Sequence, residues 1–328
     1  MRRENQSSVS RFLLLGLPIP PEQQGVFFVL FLGMYLTTVL GNLLIILLIR
    51  LDSRLHTPMY FFLSHLAFTD VSFSSVTVPK MLRDMHSKDK FIPYMRCILQ
   101  LFFFIVFGCL DSLLLTVMAY DRYVAICHPL RYTTIMREGL CMLLVAGSWL
   151  VSCGSALLHI LLLGPVYFCA ENIIPQFYCD LSVLLKLSCS NTSVNELAIL
   201  TTGAVLAIIP LSGILVSYGH IGASILRVLS TTGLRKALST CGSHLSVVSL
   251  FYGTVIARRF SSSLSDSNDQ TMTASLMYAA VTPMLNPFIY CLRNRDIKLA
   301  LGILFRKNIL VTKSESPNRV LFHPQALS

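Results

Sequence analysis

Residues 118–132 read MAYDRYVAICHPLRY, and this stretch decides the architecture. It places Asp121-Arg122-Tyr123 at the end of a long apolar run that starts near Cys97. An arginine beside a membrane-depth segment costs about 2.5–3.5 kcal/mol on insertion scales, and more at the bilayer centre. Asp121 can neutralise Arg122 in one arrangement and release it in another. A charged pair poised at a helix end is what a two-state switch needs. The plainer alternative is a juxtamembrane anchor obeying the positive-inside rule. For an isolated Asp-Arg pair that is the commoner meaning.

The rest of the chain supports a membrane setting. Hydrophobic residues make up 54% of 328 and charged residues 13%, about half the charged share usual in soluble domains. A helix needs about 20 apolar residues to cross a bilayer. Seven runs qualify: 26–49, 58–82, 98–121, 140–163, 197–226, 237–258 and 271–292. None alternates with a two-residue period, so helices are expected and a barrel is not. The expected organisation is an outer N-terminal segment (1–25), a seven-helix bundle (26–292), an amphipathic helix on the inner leaflet (293–306) and a cytoplasmic tail (307–328). The apolar patch at 12–17 is short and stopped by Pro18, so no cleavable signal peptide is read there.

Charge sets the expected orientation. With the N-terminus outside, fifteen of the 26 lysines and arginines face inward, among them Arg122, Arg131, Arg235 and Lys236. The net charge of +10 is thereby a topology signal, and no basic soluble face exists to bind nucleic acid. The sequons at Asn5 and Asn191 both fall on the outer side, where glycosylation is expected. Of ten cysteines, Cys97, Cys169, Cys179 and Cys189 lie outside, where disulfides persist; four cysteines allow three pairings. No metal, nucleophile-elbow or phosphate-loop motif is present, so an enzyme is not expected.

The third span orders several residues by geometry alone. Phe104, Asp111 and Arg122 fall within roughly 20° of one stripe at 100° per residue, and Gly108 and Leu115 share that face. Cys97 and Arg122 are separated by about 37 Å of helix. One helix can therefore touch an outer cavity, a mid-membrane acid and an inner surface. Asp70 and Asp111 are the two acids inside spans, and intramembrane carboxylates mark function by default. They could form a cation path in a channel or transporter, or stay protonated and bond Asn42 or Asn286.

Four blocks in register carry a family resemblance. Besides residues 118–132, Leu55–Asp70 reads LHTPMYFFLSHLAFTD, Lys236–Thr254 reads KALSTCGSHLSVVSLFYGT, and Pro283–Asn294 reads PMLNPFIYCLRN. Each resembles a block of the olfactory receptors, a branch of the rhodopsin-like G-protein-coupled receptors. The match runs from about residue 12 to 299 and looks like the tetrapod-type (class II) division.

The resemblance implies an all-α, seven-transmembrane bundle with a short eighth helix, in the plasma membrane. It implies that a small volatile odorant activates a stimulatory, olfactory-type heterotrimeric G protein. A same-fold receptor for a metabolite in other tissue is the alternative. It pairs Cys97 with Cys179 and Cys169 with Cys189. It gives Asp70 and Asp111 a sodium ion. It gives switch and coupling roles to Asp121, Arg122, Tyr123, Tyr218, His244, Asn286, Pro287 and Tyr290, with Tyr218 and His244 engaging Arg122 or its neighbours. The sixth span lacks a proline kink, and Tyr252 stands where many rhodopsin-like receptors carry tryptophan.

By alignment the pocket is lined by Phe104, Ile105, Gly108, Cys109, Ser112, Thr202, Val205, Leu206, Tyr252, Val255, Ile256, Arg259, Leu276 and Ala279. Ordinary helix packing is the competing explanation for each. Mostly apolar walls with a few hydroxyls suit a hydrophobic volatile. Arg258 and Arg259 depart from the family, which is usually apolar there. Arg258 is expected to snorkel to the outer interface, while Arg259 stays open between snorkelling likewise and reaching an acidic ligand.

Overall fold

Each apolar run forms a helix that outlasts it. In a computed structural model the described residues are 10–168, 172–226, 231–264 and 268–314. The helices are α1 (Gln24–Leu51), α2 (Pro58–His86), α3 (Tyr94–Cys127), α4 (Glu138–Leu163), α5 (Ser193–Leu226) and α6 (Thr231–Leu264). A seventh, α7, runs through Asn268–Leu276, a π-helical turn at Met277–Val281, and Thr282–Arg293. Among the described residues five helices are long and apolar enough by themselves to cross a membrane. The sixth and seventh spans carry more polar side chains, and they complete the seven-helix bundle expected from the sequence.

Helix ends follow from local chemistry. Pro58 occupies the first turn of α2, where its missing N–H costs nothing. Pro129 follows α3 after His128, and a proline cannot continue the ladder. The amphipathic helix α8 (Arg295–Ser314) turns 83° away from α7. Asn294 makes that corner: its Oδ1 accepts from the backbone N–H groups of Asp296 (3.0 Å) and Ile297 (3.3 Å), which is an N-cap. Tyr60 of α2 donates to Asp296 at 2.9 Å and thereby ties α8 to the bundle. This helix extends past residue 306, where the sequence placed its end. The tail from 315 lies outside the described residues.

The outer end departs from expectation. The patch that begins at Phe12 is an ordered strand, β1 (Arg11–Leu14), central in a small sheet. It pairs antiparallel with β2 (Phe91–Pro93) and parallel with β3 (Ile173–Ile174). Phe12 and Leu14 are fully buried there, under the loop between α4 and α5. The Cys97–Cys179 disulfide pins that loop to α3. Gln100 strengthens the joint by donating to the Val76 carbonyl and accepting from the Cys179 N–H, both at 2.9 Å.

Close helix contact needs glycine at two points. A Cβ on Gly41 of α1 would stand 2.9 Å from the Pro287 ring of α7, and one on Gly108 of α3 would stand 2.6 Å from the Tyr278 hydroxyl. These two contacts bring α7 against α1 and α3.

Candidate functional site

The stripe on α3 organises three levels. Phe104, Asp111 and Leu115 are buried along it, as the helical period requires. At the outer level an aromatic cluster joins four elements. Phe104 stacks on Tyr178 of the outer loop with centroids 4.7 Å apart. It meets Phe73 of α2 at 4.9 Å and Tyr278 of α7 at 5.9 Å. Just below, the Ser112 hydroxyl donates to the Leu206 carbonyl at 3.0 Å. Its proton is thereby committed, so the Tyr252 hydroxyl, 2.8 Å away, donates to it. This bond links α3, α5 and α6 in the middle of the bundle.

The expected lining divides accordingly. Phe104, Ser112, Tyr252 and Ala279 are buried, and Ile105, Gly108, Cys109, Leu206, Val255 and Leu276 are partly buried. Thr202 bonds His159 of α4 at 2.9 Å, so its hydroxyl serves the contact between α4 and α5. Val205 and Ile256 are about half exposed, at 50% and 47%, as side chains facing lipid are. Arg259 is exposed as well.

Arg258 overturns its expectation. It does not snorkel; its guanidinium forms an ion pair with Asp180 of the outer loop. Its central carbon lies 5.3 Å from the Phe104 ring centroid, 5.9 Å from Tyr178 and 5.8 Å from Tyr278. A buried counter-ion and three π faces outweigh the pull of the interface. Asp180 is itself fixed, because its Oδ1 caps the short helix Leu181–Lys186 by accepting from Ser182 and Val183. Burial pushes the hydroxyl of Tyr178 up to about 12, so it stays neutral and can donate to Ser275.

At mid-depth Asp70 and Asp111 are both buried and feel each other's charge. Asn286 Nδ2 donates to both oxygens of Asp70, at 3.0 and 2.9 Å. Asp111 Oδ1 and Asn286 Oδ1 are buried without hydrogen-bond partners. Oxygen donors of this kind fit a hard cation. Asn42 bonds neither acid; it donates to the Pro283 carbonyl at 3.3 Å.

At the inner level the partners differ from the simplest reading of Asp121-Arg122. Tyr132, in the short helix after α3, donates to Asp121 Oδ1 at 2.8 Å. Burial and then the Asp121 charge raise the Tyr132 hydroxyl above the usual phenol range, which keeps it a donor. The ion pairs among the described residues do not include Asp121 with Arg122, and Arg122 Nε is buried without a partner. Tyr123 reaches His128 at 3.0 Å. His244, fully buried, lies 3.0 Å by Nε2 from the Leu115 carbonyl and 2.8 Å by Nδ1 from the Tyr218 hydroxyl. A carbonyl only accepts, so Nε2 carries the proton; the ring is fully buried with no acidic partner among the described residues, which favours the neutral form, in which Nδ1 accepts from Tyr218. Tyr290 is buried with its hydroxyl unpartnered, within electrostatic reach of Asp70, Tyr218 and Arg122. Pro287 packs against Gly41.

Cys189 is disulfide-bonded; Cys169, the partner the resemblance implies, lies outside the described residues. So do Asn5 and the side chains of Arg235 and Lys236. Asn191 is exposed, and its Oδ1 accepts from the Ser193 N–H and hydroxyl.

A seven-helix bundle with an arginine at the end of α3 whose Nε is buried, and a loop between α4 and α5 pinned by a disulfide, has the makeup of a rhodopsin-like receptor. The crystal structure of squid rhodopsin shares the fold, with a TM-score of 0.71 over 94% of this chain and 97% of that one at 18% identity. The family described as Olfactory receptor matches residues 31–307. Human olfactory receptor 1J4 is 66% identical over 95% of this chain and its own full length. Human olfactory receptor 1J2 is 67% identical over 94% of this chain and 98% of its own length. The chain belongs to the olfactory receptor family, within the rhodopsin-like G-protein-coupled receptors, and is a multi-pass membrane protein.

Proposed function

We propose that a small, mostly hydrophobic volatile binds between the outer parts of α3, α5, α6 and α7. Binding there favours a state in which the inner end of α6 swings outward. The single observation that carries this reading is the His244 bridge. One neutral imidazole on α6 holds α5 through Tyr218 and α3 through Leu115, two turns below Tyr252. Breaking two neutral hydrogen bonds costs about 1–3 kcal/mol, a gap that differential ligand affinity can overcome. The opening frees Arg122, with Arg131, Arg235 and Lys236 around it, to receive a stimulatory, olfactory-type heterotrimeric G protein.

The N-terminus is extracellular and the tail cytoplasmic, in the plasma membrane, with glycans on Asn5 and Asn191. A sodium ion would be held by Asp70 and Asp111 with Asn286 Oδ1, and would supply positive charge to two acids in a low-dielectric site. The relatives favour odour sensing over the metabolite-sensing alternative. The test is odorant-dependent cyclic AMP production in transfected cells. Arg122→Ala is expected to abolish the response at unchanged surface level, and a full response in that variant overturns the role of Arg122.

A further inference from the structure

Arg258 sits about 9 Å of helix above Tyr252, and its cation faces the same aromatic walls as the proposed ligand. Phe104 belongs to both: it is part of the proposed ligand lining and carries the guanidinium over its ring. The countercharge comes from Asp180, which cannot follow a ligand. One of its oxygens caps a helix, and the residue before it is disulfide-bonded to α3.

This fixed pair discriminates among polar ends. An ammonium is repelled by Arg258 and finds Asp180 already engaged. A carboxylate must displace an anchored carboxylate, or else become a second anion beside it. A hydrocarbon gains nothing from the guanidinium. A guanidinium has five N–H donors in a planar fork, and a single carboxylate occupies at most two of them. A neutral carbonyl oxygen can therefore accept from Arg258 while the Asp180 pair stays intact.

We propose that Arg258 is the specificity-determining residue of the cavity, selecting neutral carbonyl-bearing odorants (aldehydes, ketones and esters) over amines and hydrocarbons of the same shape. This assignment rests on the odorant-receptor reading above. The ion pair with Asp180 is what makes the guanidinium available at the roof of the cavity without leaving an uncompensated charge there.

The experiment uses the full chain in transfected cells, with cyclic AMP as readout and surface staining as the expression control. The probes are matched sets on several linear and ring-bearing carbon skeletons, each as the carbonyl compound, hydrocarbon, carboxylate and amine. The wild type is expected to respond to carbonyl compounds at concentrations about tenfold or more below those of their hydrocarbon mates, as a charge-assisted hydrogen bond implies. Arg258→Leu is expected to erase that ratio, and Arg258→Lys to keep part of it. Should Arg258→Leu fail to reach the surface, Arg258→Gln decides, because it keeps polarity and loses the charged fork. A ratio unchanged in a surface-expressed Arg258→Leu or Arg258→Gln overturns the proposal. So does a wild-type preference for amines or hydrocarbons. A carboxylate preference that Arg258→Leu removes overturns the neutral-ligand assignment. Silence of surface-expressed wild type to every compound counts against the receptor reading itself and this assignment with it, whereas a response without carbonyl preference overturns this assignment alone.

Discussion

Tyr218 gives its hydroxyl proton to His244 Nδ1 across 2.8 Å, which joins the fifth and sixth helices at one buried point. The other nitrogen of the ring reaches the Leu115 carbonyl at 3.0 Å. His244→Ala removes both bonds, and Tyr218→Phe removes one. Losing a buried hydrogen bond shifts a two-state balance by about 0.5–1.5 kcal/mol. Tyr218→Phe should therefore raise ligand-free cyclic AMP several-fold, and His244→Ala should raise it further unless Arg122 coupling suffers too. Basal signals equal to wild type in both variants, at matched surface levels, would remove this bridge from the mechanism.

Two glycines and a control test the packing of α7. Gly41→Ala drives a methyl to 2.9 Å from a proline ring, and Gly108→Ala drives one to 2.6 Å from the Tyr278 hydroxyl. A proline ring cannot swing away, so Gly41→Ala should cost about 1–3 kcal/mol as overpacking and reduce surface expression. Tyr278 has a flexible side chain and can yield, so Gly108→Ala should reach the surface with altered ligand responses. A Cβ on Gly253 meets nothing within 4 Å, and Gly253→Ala should be neutral or stabilising by up to about 1 kcal/mol. Equal surface expression of Gly41→Ala and Gly253→Ala would contradict the close approach of α1 to Pro287.

Asn294 is expected to govern the corner between α7 and α8. Asn294→Ala deletes a helix cap worth about 0.5–2 kcal/mol, whereas Asn294→Asp keeps an acceptor for the same N–H groups. Hydrogen exchange over residues 295–304 in purified receptor should quicken several-fold in the alanine variant and stay near wild type in the aspartate. Identical exchange in all three proteins would show that the corner is held by something else.

The acid pair predicts a sodium-dependent stability. If Asp70 and Asp111 hold the ion, raising sodium at constant ionic strength with a bulky organic cation as replacement should raise the thermal midpoint in detergent. At about a hundred times the dissociation constant the gain is about 2.7 kcal/mol, or about 5 °C for a chain of this size. Asp111→Asn should abolish the shift. A shift that survives in Asp70→Asn and Asp111→Asn alike points to sodium acting elsewhere.

The bundle was readable in the chain because lipid allows few solutions. Long apolar runs without alternation can only be helices, and the period of α3 alone aligned Phe104, Asp111 and Leu115 on the buried face that the structure shows. The misses share one cause, which is partners remote in sequence. Arg258 finds Asp180, 78 residues away, and nothing local in either segment announces the pair. An arginine near a span end reads as snorkelling until the counter-ion is known. Phe12 and Leu14 looked like a stray apolar patch because their strand partners, Phe91–Pro93 and Ile173–Ile174, lie in two distant loops. The Asp121 carboxylate was a closer case. Its neighbour Arg122 was the obvious mate, yet a helix points adjacent side chains about 100° apart, which leaves Asp121 to Tyr132 eleven residues on.

The strand Arg11–Leu14 stitches the segment before α3 to the segment after α4. N-terminal epitope tags consequently belong ahead of Ser10. A fusion that trims into Phe12 would break this sheet and loosen the loop between α4 and α5, even though every transmembrane residue remained in place.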